Sequence, residues 1–183
     1  MRPLTIEEWR VLFDSFERDA FHLELRDSYG VAGEQTRFGR WLAGERQSHE
    51  DVAAWFADWT DKVRAKAATG KTVRRVRVIS EPISDYIQFE WQDTVHNIEA
   101  GEDIRWLPRH LLPEQAAFPV EGSDWWLLDD RIVVVNRFDG EGLSAGRDLV
   151  EDPGVVSRCV ELRDLLWSIA VPHAEYKPVT ARP

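Results

Sequence analysis

Cysteine is almost absent from this sequence, since Cys159 is the only one among 183 residues. A single thiol excludes an intrachain disulfide and a cysteine-ligated zinc cluster, and it favours a reducing compartment. Long apolar runs are also absent: no segment approaches the roughly 18 apolar residues of a membrane span. The N-terminus carries no apolar signal region. These absences predict a cytoplasmic protein that does not enter the membrane.

Familiar catalytic, metal and nucleotide motifs are missing as well. None of the five histidines is followed two residues later by a lysine. No two histidines have the spacing of a metal-binding helix, and there is no Gly-x-Gly-x-x-Gly motif. We therefore expect neither a metal nor another cofactor.

Charge and apolar content restrict the partners and the class of protein. The net charge of −10 argues against direct nucleic-acid binding, because an acidic surface repels phosphate backbones. It suits a protein that meets basic or neutral partners. Hydrophobic residues make up 43% of the chain and include nine tryptophans. This content is enough to build a globular core.

Residues 1–70 are predicted to form a helical extension with one strand. A capping-box pattern at residues 5–8 begins the first helix, which we expect to end near Ala20. Residues 21–26 alternate with period two and predict a half-buried strand. Further helical segments continue to Gly70, where we place the boundary with the second part.

Residues 71–183 are predicted to form an α/β domain that packs against this extension. Strand-like residues 73–79, helical spacing over 84–99 and a short strand at 104–107 predict two parallel strands joined by a helix. Residues 129–131 predict the turn of an antiparallel hairpin. The fold class is therefore α/β, a mixed sheet flanked by helices.

Two later segments complete this prediction. Residues 139–147 contain three glycines and predict a mobile turn. Asp152 and Pro153 have the order of a capping carboxylate and a first-turn proline, and they predict the start of the last helix.

Candidate binding residues follow the predicted parallel strands, because ligands of open α/β sheets bind beyond the carboxyl ends of the strands. Glu81, Asp85 and Tyr86 follow the first strand, and Arg109 and His110 follow the second. Two carboxylates there could serve as general acid and base. The alternative is structural, with Asp85 capping a helix and Glu81 solvated or paired with an arginine.

Arginine and tryptophan side chains on the strands form a second candidate group. Arg75 and Arg77 point to one face of their strand, where they bind an anion or a partner's carboxylate, or else form a solvated strand end. Alternation sends Trp125 and Trp126 to opposite faces. One of them should enter the core, while the other contacts a helix or lines a pocket. Trp106 has the same two interpretations, packing or a pocket wall.

Four segments resemble an actinobacterial family of domains of unknown function, DUF6879. They are residues 21–29, 75–86, 100–109 and 171–176, and the resemblance covers nearly the whole chain. It implies no activity. It implies a role beside small helix-turn-helix regulators of development and specialised metabolism.

The second part is also similar to half of a phospholipase-D-like domain. The similarity lies in a strand with Leu-Pro at 106–108, the hairpin around 129–131 and the closing helix from Asp152. Enzymes of that kind use a His-x-Lys motif with an aspartate further on, and the chain lacks this motif. The similarity is therefore to the catalytically inactive sensor domains of some transcription regulators, and it transfers no catalytic residue.

Together these features predict a non-enzymatic regulatory or sensor module. It would work with a helix-turn-helix regulator and bind that partner or a small effector; a homodimer is compatible with the sequence. One alternative is a hydrolase that uses the carboxylate and tyrosine cluster at residues 81–86. Another is a partner of the toxin–antitoxin kind.

Overall fold

A computed structural model describes residues 1–31 and 33–181 of the chain, in which eight strands form one sheet and five helices cover it. The strands are β1 (Arg2–Leu4), β2 (Asp19–Glu24), β3 (Thr72–Ile79), β4 (Glu102–Pro108), β5 (Trp125–Leu128), β6 (Ile132–Phe138), β7 (Ser144–Val150) and β8 (Val171–Pro172). The helices are α1 (Ile6–Ser15), α2 (Glu34–Leu42), α3 (His49–Ala67), α4 (Asp85–Glu99) and α5 (Pro153–Ile169).

The sheet is mixed, with the strand order β1-β7-β6-β5-β2-β3-β4-β8. Strands β2, β3 and β4 are parallel, and their other neighbours pair antiparallel. The predicted parallel pair joined by a helix is confirmed as β3, α4 and β4, and the hairpin is confirmed as β5 and β6. Strand β2 lies at the centre, so residues 1–70 and 71–183 share one sheet.

Side-chain caps explain where four helices begin, because the first backbone N–H groups of a helix have no partner within it. Thr5 accepts from the backbone of Glu8, whose carboxylate accepts from Thr5 in return. The side chains of Ser48, Ser84 and Asp152 each accept from the backbone N–H three residues further on, at the starts of α3, α4 and α5.

The first helix ends earlier than the expected Ala20, which lies in β2. Helix α1 stops at Ser15 because the carboxylate of Asp129 accepts hydrogen bonds from the backbone N–H groups of residues 17–19. This contact from the distant β5–β6 turn straightens the chain into β2.

The prediction of a mobile turn over residues 139–147 was wrong for its second half. The carboxylate of Asp139 accepts from the backbone of Glu141 and Leu143, which closes a tight turn. The chain then re-enters the sheet at Ser144 as β7 and pairs with both β6 and β1. Pairing with two neighbouring strands makes this segment regular, although it contains glycine.

The two faces of the sheet differ. On the α5 face, the helix α5 covers a continuous apolar cluster that includes Phe21, Leu23, Trp125, Leu127 and Leu166. On the opposite face, which we call the cavity face, α1, α3 and α4 cover two separate apolar clusters. One contains Phe13, Trp126 and Val134, and the other contains Ile87, Trp106 and Tyr176.

The sheet ends on short strands, since β1 has three residues and β8 has two. Short edge strands limit pairing with another chain. No helix in residues 1–31 and 33–181 has the length and apolar character needed to cross a membrane.

Candidate functional site

A cavity of about 450 Å³ lies on the cavity face, between its two apolar clusters. Strands β2, β3, β5, β6 and β7 supply polar and aromatic side chains to it, the helices α1 to α4 supply others, and Tyr29, Val31 and Asp124 come from loops. A volume in this range suits a small organic ligand.

Five alternating charges form the floor of the cavity. Arg75 donates to Glu24 and to Glu102, at 2.7 Å each. Arg77 lies 2.7 Å from Glu24, although its Nε–H is poorly aligned, and 2.6 Å from Glu90. Burial raises the pKa of Glu24, but the guanidinium groups of Arg75 and Arg77 outweigh it and hold that pKa at about 2. Glu24 is therefore kept ionised by the two arginines.

His22 stands beside this network as a neutral imidazole. Its ring stacks on Trp126, with centroids 4.1 Å apart and planes 8° apart. Burial lowers the pKa of His22 to about 3. The amide Nδ2 of Asn136 lies 3.2 Å from His22 Nε2, so Nε2 accepts and the proton sits on Nδ1, 3.3 Å from Glu24.

Glu34 and Glu90 make one end of the cavity acidic. The hydroxyl of Tyr86 donates to Glu34 at 2.7 Å. Burial, followed by the charge of Glu90, raises the pKa of Glu34 to about 7. The carboxyl of Glu34 therefore holds its proton to near neutral pH, because burial disfavours its charged form.

Asp124 is a second carboxyl with a raised pKa. Its oxygens accept from the hydroxyl of Tyr29 at 2.6 Å and from the backbone of Leu25 at 3.0 Å. Burial raises the pKa of Asp124 to about 6, because it outweighs the hydrogen bond from Tyr29. The bond to Tyr29 also ties the loop after β2 to the start of β5.

Three of the predicted site residues line the cavity: Arg75, Arg77 and Tyr86. The alternative of a solvated strand end was wrong, because Arg75 and Arg77 are buried under α4 and neighbouring carboxylates. Trp106 is fully buried beneath the guanidinium of Arg77, 5.2 Å from its ring centroid, and does not line the cavity. The opposite facing of Trp125 and Trp126 is confirmed, since the first lies in the α5-face core and the second in the cavity wall.

Glu81, Asp85 and Arg109 do not line the cavity, and they form no hydrogen bonds with one another. Glu81 accepts from the hydroxyl of Tyr176, and Asp85 is exposed in the first turn of α4. Arg109 donates to the backbone carbonyls of residues 25 and 78. These bonds tie the carboxyl ends of the parallel strands together.

Several cavity residues were missed from the sequence, notably Glu24, Glu34, Asp124, Asn136 and Arg147. A signal was present for some of them. Glu24 and Asn136 each follow a buried apolar residue of a strand, and polar positions on buried strands require partners. Their partners come from distant segments, which the sequence pattern does not identify.

One group among the described residues could hold a metal ion, although the sequence predicted none. Single ligand atoms of His49, His96 and Glu99 lie within 4.8 Å of one another where α3 meets α4. His49 and Glu99 are exposed, and none of the three lines the cavity.

Comparison with solved structures shows the fold. The chain is similar to a phospholipase D family member, Nuc from Salmonella typhimurium, with a TM-score of 0.50 and 11% identity. The similarity covers 88% of this chain and 86% of that one. It supports a phospholipase-D-like arrangement of the sheet and its helices. No curated protein matches the chain.

Comparison with protein families extends over nearly all of the sequence. The family described as "Domain of unknown function (DUF6879)" matches residues 7–178. This span runs from α1 through β8 and includes every residue that lines the cavity. The chain therefore belongs to the DUF6879 family.

Proposed function

We propose that this chain is a non-enzymatic regulatory module whose cavity binds a small effector. The observation that carries the proposal is the charged floor of the cavity, where Arg75 and Arg77 are held by three carboxylates. Burial of charge is costly unless the charges are paired. A core with no ligand to bind would be served as well by apolar residues at these positions.

The rigidity of this floor supports binding. Each guanidinium contacts two carboxylates, and Glu102 also accepts from Trp59 and Asn97. Groups fixed in this way lose little further freedom when a ligand binds, which favours affinity. Binding would act by favouring one conformation or assembly of the protein.

The partner in this proposal is a helix-turn-helix transcription regulator. The resemblance to the DUF6879 family, which implies a role beside such regulators, supports it, as does the lack of a His-x-Lys motif in a phospholipase-D-like fold. On this proposal the chain is an inactive sensor relative of that fold and works in the cytoplasm. The single cysteine supports a reducing compartment.

A cavity-blocking variant tests effector binding. Val31 lines the mouth of the cavity and is 46% exposed, so Val31→Trp should narrow the mouth without disturbing the core. Val11→Trp, at a 67% exposed position outside the cavity, is the matched control. A library of anionic, neutral and cationic metabolites would be screened by thermal unfolding.

We expect at least one compound to stabilise the wild type and Val11→Trp but not Val31→Trp. At a hundredfold excess over Kd the stabilisation is about 2.7 kcal/mol, or roughly 5–10 °C in Tm. If every compound that binds does so equally well to Val31→Trp, the cavity is not the binding site.

Affinity capture tests the partner. The tagged chain, expressed in its native host, should recover a helix-turn-helix regulator, and the Val31-sensitive compound should change the amount recovered. If the compound does not change the amount of regulator recovered, partner binding is independent of effector binding. Failure to recover any regulator would remove this part of the proposal.

A second candidate function is supported by the carboxyls of Glu34 and Asp124. Their pKa values of about 7 and about 6 lie in the range of a general acid or base. The chain would then be a hydrolase. Turnover of phosphodiester or carboxylic ester substrates that is lost in Asp124→Asn would favour this candidate over an effector site.

A further inference from the structure

Arg147 is the cavity's unpaired cation. Its side chain has no hydrogen bond or ion pair to any residue of 1–31 and 33–181, and its Nε is buried without a partner. Its one contact of note is the ring of Trp9, whose centroid lies 5.6 Å from the guanidinium carbon. Arg75 and Arg77, on the same face of the sheet, each contact two carboxylates. A half-buried guanidinium without a counter-ion calls for an anion from outside the chain.

Asn136 adds a free acceptor next to that cation. It lies directly opposite Arg147 in the antiparallel pairing of β6 and β7, so the two side chains start about 5 Å apart. Its amide Nδ2 is engaged by His22 Nε2, while its Oδ1 is buried and has no partner. A ligand with a hydrogen-bond donor beside its anionic group would satisfy both residues.

Aromatic rings form the walls around these two polar groups. Trp126 contacts Trp9 and Trp59 there, with ring centroids 5.6 Å and 5.7 Å apart. Flat aromatic surfaces favour a flat apolar ligand body, which stacks on them with little loss of freedom. The walls therefore select a hydrophobic ring or a similarly flat group.

The opposite end of the cavity limits the ligand's charge. Glu34 and Glu90 line that end, and the charge of Glu90 adds to burial in raising the pKa of Glu34. A second anionic group would meet these carboxyls and be repelled. A nucleoside triphosphate or another polyanion is therefore disfavoured.

We infer that the cavity binds a small organic oxyanion with a single anionic group and a flat apolar body. Its anionic group contacts Arg147, and a neighbouring hydroxyl or N–H donates to Oδ1 of Asn136. The inference rests on the proposed effector site and names the chemical class of its ligand. The same groups accept a carboxylate or a phosphate ester, since both present oxygens to a guanidinium.

Matched aromatic probes test this assignment. Mandelate carries a carboxylate, an adjacent hydroxyl and a phenyl ring; mandelamide is neutral, and phenylacetate lacks the hydroxyl. Binding would be followed by the fluorescence of the tryptophans that line the cavity, with phenyl phosphate as the phosphate arm. The variant is Arg147→Gln, and the control is Arg158→Gln, which removes an exposed guanidinium on α5 across the sheet.

We expect mandelate to bind the wild type and Arg158→Gln at least tenfold more tightly than mandelamide, because one charged hydrogen bond contributes about this much. Arg147→Gln should lose that preference. Its fold should persist, since the replaced side chain makes no bonds, and circular dichroism would confirm it. Phenylacetate should bind the wild type more weakly than mandelate.

Equal affinity for mandelate and mandelamide, or unchanged mandelate affinity in Arg147→Gln, overturns the inference. So does the absence of binding by mandelate and phenyl phosphate up to about 10 mM. If neutral or cationic compounds bind in a manner sensitive to Val31→Trp while anions do not, the effector site stands and only the ligand class is wrong. If no compound binds in a manner that Val31→Trp weakens, the proposed effector site itself is wrong.

Discussion

The two faces of this sheet are built from the same strands, yet one is a closed core and the other holds a polar cavity. Phe21 and Leu23 point to the α5 face, where apolar side chains of α5 cover them. His22 and Glu24 alternate with them and point to the cavity face. Alternation along one strand thus supplies both surfaces. Buried strand positions usually carry apolar side chains. The comparison teaches that candidate functional groups are found at the buried positions that carry polar side chains instead.

The energetic basis of the two faces also differs. Burial of apolar area stabilises the apolar cluster of the α5 face, where burial raises the pKa of the Cys159 thiol to about 12. On the cavity face, stability depends on paired charges and on which carboxyls hold protons. Mutations and pH should therefore affect the two faces in different ways.

The largest expected effect comes from breaking the charged floor. Arg75→Met leaves Glu102, which is fully buried, and Glu24 with one cation fewer. Loss of one partner of a buried ion pair costs about 3–5 kcal/mol. Urea unfolding would measure this loss.

A double variant sharpens this test. Arg75→Met combined with Glu102→Gln removes both members of one pair and should recover part of the lost stability, so the two effects are not additive. Arg10→Met, on the exposed side of α1, is the control and should change stability little. A loss in Arg75→Met no larger than in this control would mean that the network does not hold the face together.

The next largest expected effect comes from a substitution on the α5 face. Leu166→Ala removes a fully buried side chain of α5 and should cost about 3 kcal/mol through the lost contacts and the resulting void. Because the sheet separates α5 from the cavity, ligand affinity should not change. Ile169→Ala, at a more exposed site of the same helix, should cost less. Impaired binding in folded Leu166→Ala would show that the two faces are coupled.

Proton uptake by Glu34 predicts that the free energy of unfolding depends on pH through the cavity face. Its pKa is about 7 in the folded protein, against an ordinary value of 4.5. The folded state therefore holds the proton to higher pH, so this contribution to stability is complete below pH 4.5 and is lost as pH rises through 7. The loss is about 3 kcal/mol.

Glu34→Gln stays neutral at every pH, so its stability relative to the wild type should rise between pH 4.5 and pH 8 by up to this amount. Denaturant unfolding across that pH range would measure the difference. Glu7→Gln, on exposed surface of α1, is the matched control. Parallel stability curves for Glu34→Gln and the wild type would contradict the buried, protonated carboxyl.

The smallest expected effect is local to the α5 face. Asp152→Ala removes the carboxylate that accepts from the backbone of Val155, and loss of such a cap costs about 1 kcal/mol. Thermal unfolding should show a decrease of roughly 2–4 °C in Tm, with ligand affinity unchanged. Glu151→Ala, its exposed neighbour, serves as the control. Equal losses in the two variants would argue against a capping role.

Local patterns in the sequence were enough to predict much of the architecture. The capping residues Thr5, Ser84 and Asp152 mark helix starts because the interaction involves only the next three residues. The alternation in β2 and β3, the parallel pair β3 and β4, and the β5–β6 hairpin follow from spacing within short windows. The same alternation is enough to predict that Arg75 and Arg77 lie on one face of the sheet.

Contacts between distant segments were decided only by the tertiary structure. The carboxylate of Asp129 sets the end of α1 across more than a hundred residues, and β7 becomes a strand because β1 and β6 pair with it. The cavity combines side chains of four helices and five strands, so Glu24, Asn136 and Arg147 acquire their roles through neighbours far away in the chain. Periodicity determines which residues share a face, whereas long-range packing determines which face is covered by apolar side chains and which keeps its charges.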